Sequence, residues 1–257
     1  MLSKRTVPID TLSLLTHVNR GKMTGKIYGI GVGIGDPEDI TLKAVRLIKE
    51  SDVLICPQED LDRCRAYQIA KKSVPEIEDI KTISFEFEMV KDKTIREYNH
   101  RKIYEEVKEL VKAGKTVSFL TIGDPALYST YSYIADLAKS DGIQTFSASG
   151  ISSLTASANS LGIPLCEKGD QLHVISELND IEAGLTLPGT KVIMKCGKDI
   201  VRIKELLRKK TGILVYAVSE CGTKNEKSYI GLENIPDEGN YMLTILVKED
   251  VKKNRPY

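Results

Sequence analysis

The stretch "GIGVGIGDPEDIT", from Gly29 to Thr41, holds four glycines at alternating positions and then breaks into Asp-Pro. A run typical of a β-strand begins just before it at Lys26, and apolar residues at helical spacing begin at its end. A glycine-rich turn between a strand and a helix is typical of an α/β domain. Such a turn approaches a dinucleotide phosphate, approaches another ligand, or serves only as a tight turn.

The spacing of these glycines does not match the phosphate-binding fingerprints. The pattern G-x-G-x-x-G needs a glycine at its sixth position, where counting from Gly29 gives Ile34 and counting from Gly31 gives Asp36. The complete P-loop pattern occurs nowhere in the chain. Asp36 and Pro37 instead suit the start of a helix, as a capping residue and a first-turn residue. On spacing alone, a tight strand-to-helix turn is favoured.

Composition limits the classes of function. The chain has 257 residues, with 37 Lys plus Arg and 36 Asp plus Glu, so its net charge is close to zero. This balance argues against nucleic acid or a membrane surface as a partner. The five cysteines lack Cys-x-x-Cys spacing and the three histidines are scattered, which argues against a disulfide framework and a metal site. We therefore expect a cytoplasmic protein without a bound metal.

Strand and helix patterns divide the chain into three parts. Residues 1–22 lack the strand-like pattern that follows, and we interpret them as an appended or disordered leader, with a short packed helix as the alternative. Residues 23–147 alternate strands and helices, which predicts an α/β domain with a mostly parallel sheet. Residues 148–257 begin with a small-residue helix around Ser152–Leu161 and then hold five strand candidates and two clear helices, which predicts an α+β domain with a mixed sheet.

Three further stretches follow strand candidates, where ligands bind in open α/β sheets. "TIGDPALYSTYSYI", from Thr121 to Ile134, repeats Gly-Asp-Pro, and its Asp124 either caps a helix or holds a polar ligand. Tyr128 is predicted in the first turn of the next helix, facing a cleft or the core. "SASGISSLTASANSLGIP", from Ser147 to Pro164, has small side chains that permit close approach of a ligand or of a second helix. "MKCGKD" and "SECGTKNE" place Cys-Gly pairs at strand ends, which favours ligand-lining turns over a metal site.

Taken in order, these four stretches resemble the tetrapyrrole methylase family over residues 26–248. Two of them are similar to the branch that methylates C-20 of precorrin-2 or cobalt-factor II. The resemblance implies a two-domain α/β fold, S-adenosylmethionine as cofactor, a tetrapyrrole substrate, a role in cobalamin biosynthesis and a homodimer. The alternatives are another tetrapyrrole methylase, such as a uroporphyrinogen III methyltransferase, and a cofactor-binding module without turnover.

The resemblance also implies site residues. The implied cofactor contacts are Ile122, Gly123, Asp124, Leu127, Ser152, Ser153, Cys196, Gly222, Thr223 and Thr244. The implied substrate contacts are Gly33, Ile34, Gly35, Asp36 and Tyr128. Ile34 departs from the family pattern, which has proline there.

The residues themselves single out no catalytic base. Asp36, Tyr128 and His173 are the candidates for accepting the proton that leaves the methylated carbon. Arg63, Arg65 and Lys198 are candidates for binding the carboxylates of the macrocycle, with solvated surface charge as the alternative.

Overall fold

The computed structural model describes residues 25–86, 92–195 and 197–250, which form two five-stranded sheets. The expected leader, residues 1–22, and the candidate Cys196 lie outside the described residues. In the described part of the chain, no helix combines the length and the apolar character needed to cross a membrane.

The first sheet carries the alternating pattern predicted for the first half of the chain. Its elements are β1 (Lys26–Gly31), α1 (Leu42–Lys49), β2 (Val53–Cys56), α2 (Arg65–Ser73), β3 (Lys81–Ser84), α3 (Lys93–Lys112), β4 (Thr116–Thr121), α4 (Tyr131–Ser140) and β5 (Thr145–Ala148). The strand order is β3-β2-β4-β1-β5, and every pairing is parallel. The predicted parallel sheet is confirmed.

Helices cover both faces of this sheet. The buried residues of α1 and α2 form one core with Leu54 and Leu120, whereas those of α3 and α4 form a second core with Ile55 and Phe119. The chain therefore leaves β1 toward one face and leaves its neighbour β4 toward the other. The carboxyl ends of β1 and β4 form a topological switch point, which is where open α/β sheets bind ligands.

The second sheet is mixed, as predicted. Its elements are α5 (Ser153–Ser160), β6 (Leu172–Ile175), α6 (Leu178–Gly184), β7 (Thr190–Met194), α7 (Ile200–Arg208), β8 (Ile213–Ser219), β9 (Lys227–Ile230) and β10 (Leu243–Glu249). The strand order is β6-β7-β10-β8-β9, with β6 and β7 parallel and the other pairs antiparallel.

Helix α5 packs on the second sheet although it follows the last strand of the first. Its Leu154 and Ala158 lie in one apolar cluster with Val192, Met194 and Leu246. The chain therefore passes from the first sheet to the second between Ala148, the last residue of β5, and Ser153. The division into two domains near residue 147 stays a proposal.

One predicted helix begins later in the structure. The pattern predicts a helix from Tyr128, but α4 begins at Tyr131. Tyr128 has a φ of 49°, in the left-handed region that a helix cannot include. Tyr128 therefore belongs to the loop after β4 rather than to the first turn of α4.

Candidate active site

Three glycines bring the loops after β1, β4 and β5 into backbone contact. A Cβ atom on Gly31 would lie 2.6 Å from the nitrogen of Gly150, and one on Gly150 would lie 2.8 Å from the Cα atom of Gly31. Both hypothetical atoms would also collide with the carbonyl oxygen of Gly123. The small residues at these positions therefore permit three strand ends to meet without side chains between them.

Asp124 and Gly123 hold these loops together by hydrogen bonds. The Asp124 carboxylate accepts the backbone N–H of Ala126 at 2.8 Å and that of Gly150 at 3.1 Å. The backbone N–H of Gly123 donates to the carbonyl of Gly33 at 2.8 Å. Asp124 thus accepts hydrogen bonds from the loops after β4 and β5. The bond from Gly123 to Gly33 links the loop after β4 to the glycine-rich turn after β1.

The loop after β1 also meets the second half of the chain. A Cβ atom on Gly35 would lie 2.7 Å from the carbonyl carbon of Gly222 and 2.8 Å from the Cγ2 atom of Thr223. The side chain of Ile34 is 1% exposed and packs against Val218 and Cys221. Ile34 therefore contributes an apolar contact between the halves.

The loops after β1, β4 and β5 and the turn after β8 thus meet at one place, which we call the junction. The structure brings most of the predicted site residues to this junction. A Cβ atom on Gly123 would lie 3.9 Å from the Cγ2 atom of Ile34 and 4.0 Å from the Cα atom of Ser152, so Gly123 faces these two residues. Thr244 is 3% exposed and lies beside Met194 and Val218 in the second sheet. The remaining residues adjoin them as follows: Ile122 packs against the Ile34 cluster, Leu127 packs against the cluster of α5, Ser153 begins α5, and Asp36 caps the short 3-10 turn Pro37–Asp39.

Three residues with strained backbones stand at the same junction. Among the described residues, the non-glycine residues with positive φ are Tyr128 at 49°, Lys195 at 62° and Glu220 at 55°. Each follows the carboxyl end of a strand: β4, β7 and β8 respectively. A left-handed conformation at such residues persists only where the surroundings impose it, and it concentrates at functional sites.

Lys195 connects the two halves of the chain. Its ammonium group donates to the carbonyl oxygen of Tyr128 at 2.6 Å. It lies 5.8 Å from the ring centre of Tyr128 and 5.7 Å from that of Tyr241. The Tyr128 hydroxyl also donates to the carbonyl of Val174 in β6, at 3.4 Å. A cation between two half-exposed aromatic rings suits a ligand that combines a flat π-system with carboxylates.

Glu220 makes a second connection between the halves. Its carboxylate forms an ion pair with Arg65, the first residue of α2, and accepts a hydrogen bond from the side-chain amide of Asn240 at 3.0 Å. Arg65 is therefore already compensated by a protein carboxylate. Arg63 and Lys198, the other predicted carboxylate-binding residues, are exposed.

The candidate bases are placed differently from one another. The ring of His173 hydrogen bonds through Nε2 to the carbonyl of Pro188 at 3.0 Å. Pro188 precedes β7, so His173 lies at the end of that strand opposite to the junction. Asp36 is at the junction, but its carboxylate accepts the N–H of Glu38. Asp39, which the sequence did not single out, lies beside Gly33. Burial raises the pKa of the Asp39 carboxyl, and the charges of Asp36 and Glu38 raise it further.

Comparison with known proteins decides the family. The model of the tetrapyrrole (corrin/porphyrin) methylases matches residues 26–235, which is most of the chain and includes strands of both sheets. This chain is a tetrapyrrole methylase. The family resemblance predicted from the four stretches is confirmed.

Relatives of similar length support the same grouping. The chain is 34% identical over 237 residues to the "probable cobalt-precorrin-2 C(20)-methyltransferase" of Methanocaldococcus jannaschii, covering 90% of this chain and 99% of that protein. It is 29% identical over 241 residues to the precorrin-2 C(20)-methyltransferase of a Sinorhizobium species, covering 88% and 96%.

A solved structure shows the same fold. The uroporphyrin-III C-methyltransferase of Thermus thermophilus, determined in complex with S-adenosylhomocysteine, aligns with a TM-score of 0.65 and 22% identity. The alignment covers 89% of this tetrapyrrole methylase and 100% of that chain. The predicted two-domain methylase fold is therefore confirmed as a fold.

Two charged residues of this tetrapyrrole methylase were missed by sequence reasoning. Lys195 and Glu220 occupy the same place, directly between a strand and a Cys-Gly pair, in "KCG" and "ECG". That repetition was a usable signal, because a charged residue at a strand end beside small residues lies at the ligand edge of a sheet. Tyr241 and Asn240 carried no such signal, since they precede a strand.

Cys221 of this tetrapyrrole methylase is expected to resist alkylation. Burial and the nearby charge of Glu226 raise the pKa of its thiol to about 12, so the reactive thiolate is scarce at neutral pH. Cys166 is exposed. Brief treatment of the native protein with iodoacetamide at pH 8, followed by peptide mass spectrometry, should label Cys166 well before Cys221. Equal labelling would show that the junction opens readily to solvent.

Proposed function

We propose that this chain transfers a methyl group from S-adenosylmethionine to C-20 of precorrin-2 or cobalt-factor II in cobalamin biosynthesis. The observation that carries the proposal is the 34% identity to a C(20)-methyltransferase across 90% of this chain and 99% of the relative. An alignment of that extent includes the loops of both halves that meet at the junction. Specificity for C-20 is thus supported by the sequence relatives rather than by the fold, which a uroporphyrin-III methyltransferase shares.

The residues at the junction fit S-adenosylmethionine. The loop after β4 packs on the start of α5 without a clash, because a Cβ atom on Gly123 would lie 3.9 Å from the carbonyl oxygen of Ile151 and 4.0 Å from the Cα atom of Ser152. Ser152 and Ser153 stand at the start of α5, and Thr223 lies against Gly35. Their hydroxyl and backbone groups suit a ligand that carries ribose hydroxyls, an amino group and a carboxylate. Bound S-adenosylmethionine supplies a methyl group already activated by a sulfonium. The chain would hold it through the loop after β4, the start of α5 and the turn after β8.

The work of the protein is mainly positioning. Holding the nucleophilic carbon of the macrocycle in line with the methyl group supplies much of the rate by proximity. Lys195 would bind a carboxylate of the macrocycle, while the rings of Tyr128 and Tyr241 would contact its face. The turn from Gly33 to Asp36 would border the macrocycle at the mouth of the cleft. A proton then leaves the methylated carbon, and this later step needs only a weak base.

We further propose that the protein acts as a homodimer in the cytoplasm. The family resemblance implies the dimer, and the cysteine pattern of the sequence supports a reducing compartment. Analytical ultracentrifugation would reveal a monomer if the dimer proposal is wrong.

A transfer assay tests the proposed function. Methyl-labelled S-adenosylmethionine is incubated with the protein and, separately, cobalt-factor II, precorrin-2 and uroporphyrinogen III. Label at C-20 of one of the first two substrates, located by NMR, is the expected result. Label on uroporphyrinogen III alone would assign a different acceptor. Binding of S-adenosylhomocysteine without any transfer would indicate a cofactor-binding module.

A further inference from the structure

The carboxylate of Glu226 accepts hydrogen bonds from two segments in the second half of the chain. Its carboxylate accepts the backbone N–H of Gly222 at 2.6 Å through Oε2 and the hydroxyl of Ser160 through Oε1. Partial burial raises the pKa of the Glu226 carboxyl, but its hydrogen bonds, that from Ser160 foremost, outweigh burial and hold the pKa below its usual range.

These partners connect the two segments to which the proposed function assigns the cofactor. Ser160 is the last residue of α5, the helix that begins at Ser153. Gly222 belongs to the turn after β8 and precedes Thr223. A single carboxylate therefore fixes the distance between the end of α5 and this turn.

The Gly222 turn also touches the loop after β1. Gly222 has a φ of 75°, and a Cβ atom on it would lie 3.0 Å from the nitrogen of Asp36. The Gly222 turn is thus held between the loop after β1 and the Glu226 carboxylate. Loss of the carboxylate would release the turn on the side of α5 only.

We propose that Glu226 is a positioning residue for the methyl donor, acting through the Gly222 N–H and Ser160 to hold the turn after β8 against α5. This inference rests on the proposed function. Glu226 is exposed at the surface, where a carboxylate without such partners would contribute little to stability or to binding. Its contribution is expected in the affinity for the cofactor rather than in the chemical step.

Isothermal titration with S-adenosylhomocysteine and steady-state methyl transfer test the role of Glu226. Glu226→Ala should raise Kd for S-adenosylhomocysteine and KM for S-adenosylmethionine about tenfold to a hundredfold, the usual effect of losing a charged hydrogen-bond acceptor. At saturating S-adenosylmethionine, kcat should stay within about threefold of wild type, since the chemical groups are untouched. Glu226→Gln, which keeps one acceptor oxygen, should restore part of the affinity.

Two further variants separate positioning from general stability. Ser160→Ala should weaken binding less than Glu226→Ala and should add little when the two are combined, because both break one shared contact. Glu233→Gln is the matched control, since it breaks a 2.8 Å ion pair with Arg208 elsewhere in the same half. It should leave Kd unchanged even if it lowers Tm.

The outcomes are distinguishable. Wild-type affinity for S-adenosylhomocysteine in folded Glu226→Ala would overturn the role of Glu226 while leaving the proposed function intact. A wild-type protein that binds S-adenosylhomocysteine but methylates no tetrapyrrole would overturn the function, and the titrations would still decide the role of Glu226. A wild-type protein that does not bind S-adenosylhomocysteine would overturn both.

Discussion

Gly150→Ala should reduce kcat/KM for methyl transfer about a hundredfold or more and lower Tm by several degrees. A Cβ atom on Gly150 would lie 2.8 Å from the Cα atom of Gly31 and would collide with the carbonyl of Gly123. Both neighbours are backbone atoms at the carboxyl ends of strands, so neither can rotate away as a side chain would. Overpacking of this kind costs about 1–3 kcal/mol, and misplacing a bound group by about 1 Å costs about a hundredfold in rate.

The expected loss of activity should exceed the loss of stability. The displaced loops are those that carry Gly123, Asp124 and Ser152, so the damage is concentrated where the cofactor is proposed to bind. Thermal unfolding, titration with S-adenosylhomocysteine and the transfer assay measure the three quantities separately.

Gly142→Ala is the control for Gly150→Ala. A Cβ atom on Gly142 would meet nothing within 4 Å, although its φ of 73° makes alanine unfavourable there by about 1–2 kcal/mol. This variant should therefore lose stability while retaining wild-type affinity and turnover. If Gly150→Ala behaved in the same way, the close approach of the three strand ends would have no bearing on the site.

The sequence predicted the sheets well because the strand signals are short, apolar and sharply bounded. β2 and β4 coincide with two apolar runs of the sequence, Val53–Cys56 and Thr116–Thr121. Pro57 ends the first apolar run, and Gly114 precedes the second, so local chemistry defines both. The start of α4 was predicted wrongly because the cause is not local: Tyr128 is held outside the helix by contacts with Lys195 and Val174.

The site was predictable to the extent that it depends on glycine. Residues such as Gly35 and Gly123 follow strands, and the topology brings the carboxyl ends of those strands together. The strand-end position of Glu220 was readable in the same way, but its ion pair with Arg65 was not, because the two residues lie 155 positions apart in the chain. Glu226 could not be assigned, because its partner Ser160 lies 66 positions away. Ile34 was noticed as a departure from the proline of the family pattern, but its buried contact with Val218 depends on packing between the halves.

Lys195→Met should reduce kcat/KM for the tetrapyrrole about a hundredfold, with little change in Kd for S-adenosylhomocysteine. Methionine keeps the length and apolar character of the side chain but loses the ammonium that lies between Tyr128 and Tyr241. Removing one charge-assisted hydrogen bond costs about 1.5–3 kcal/mol, or about tenfold to more than a hundredfold in affinity. The bond from Lys195 to the Tyr128 carbonyl is lost as well, so one aromatic wall becomes less fixed.

Two substitutions identify which property of Lys195 matters. Lys195→Arg keeps the charge and should retain more activity than Lys195→Met if carboxylate binding is the role. Lys195→Gly removes the side chain but accommodates the φ of 62° without strain, so it should regain stability and not activity. The exposed Lys198, three residues along the same loop, provides the control, and Lys198→Met should leave kcat/KM nearly unchanged. Among the described residues, Lys195 is the cation held between the rings of Tyr128 and Tyr241. Equal, small effects of Lys195→Met and Lys198→Met on kcat/KM would therefore mean that the macrocycle is held elsewhere.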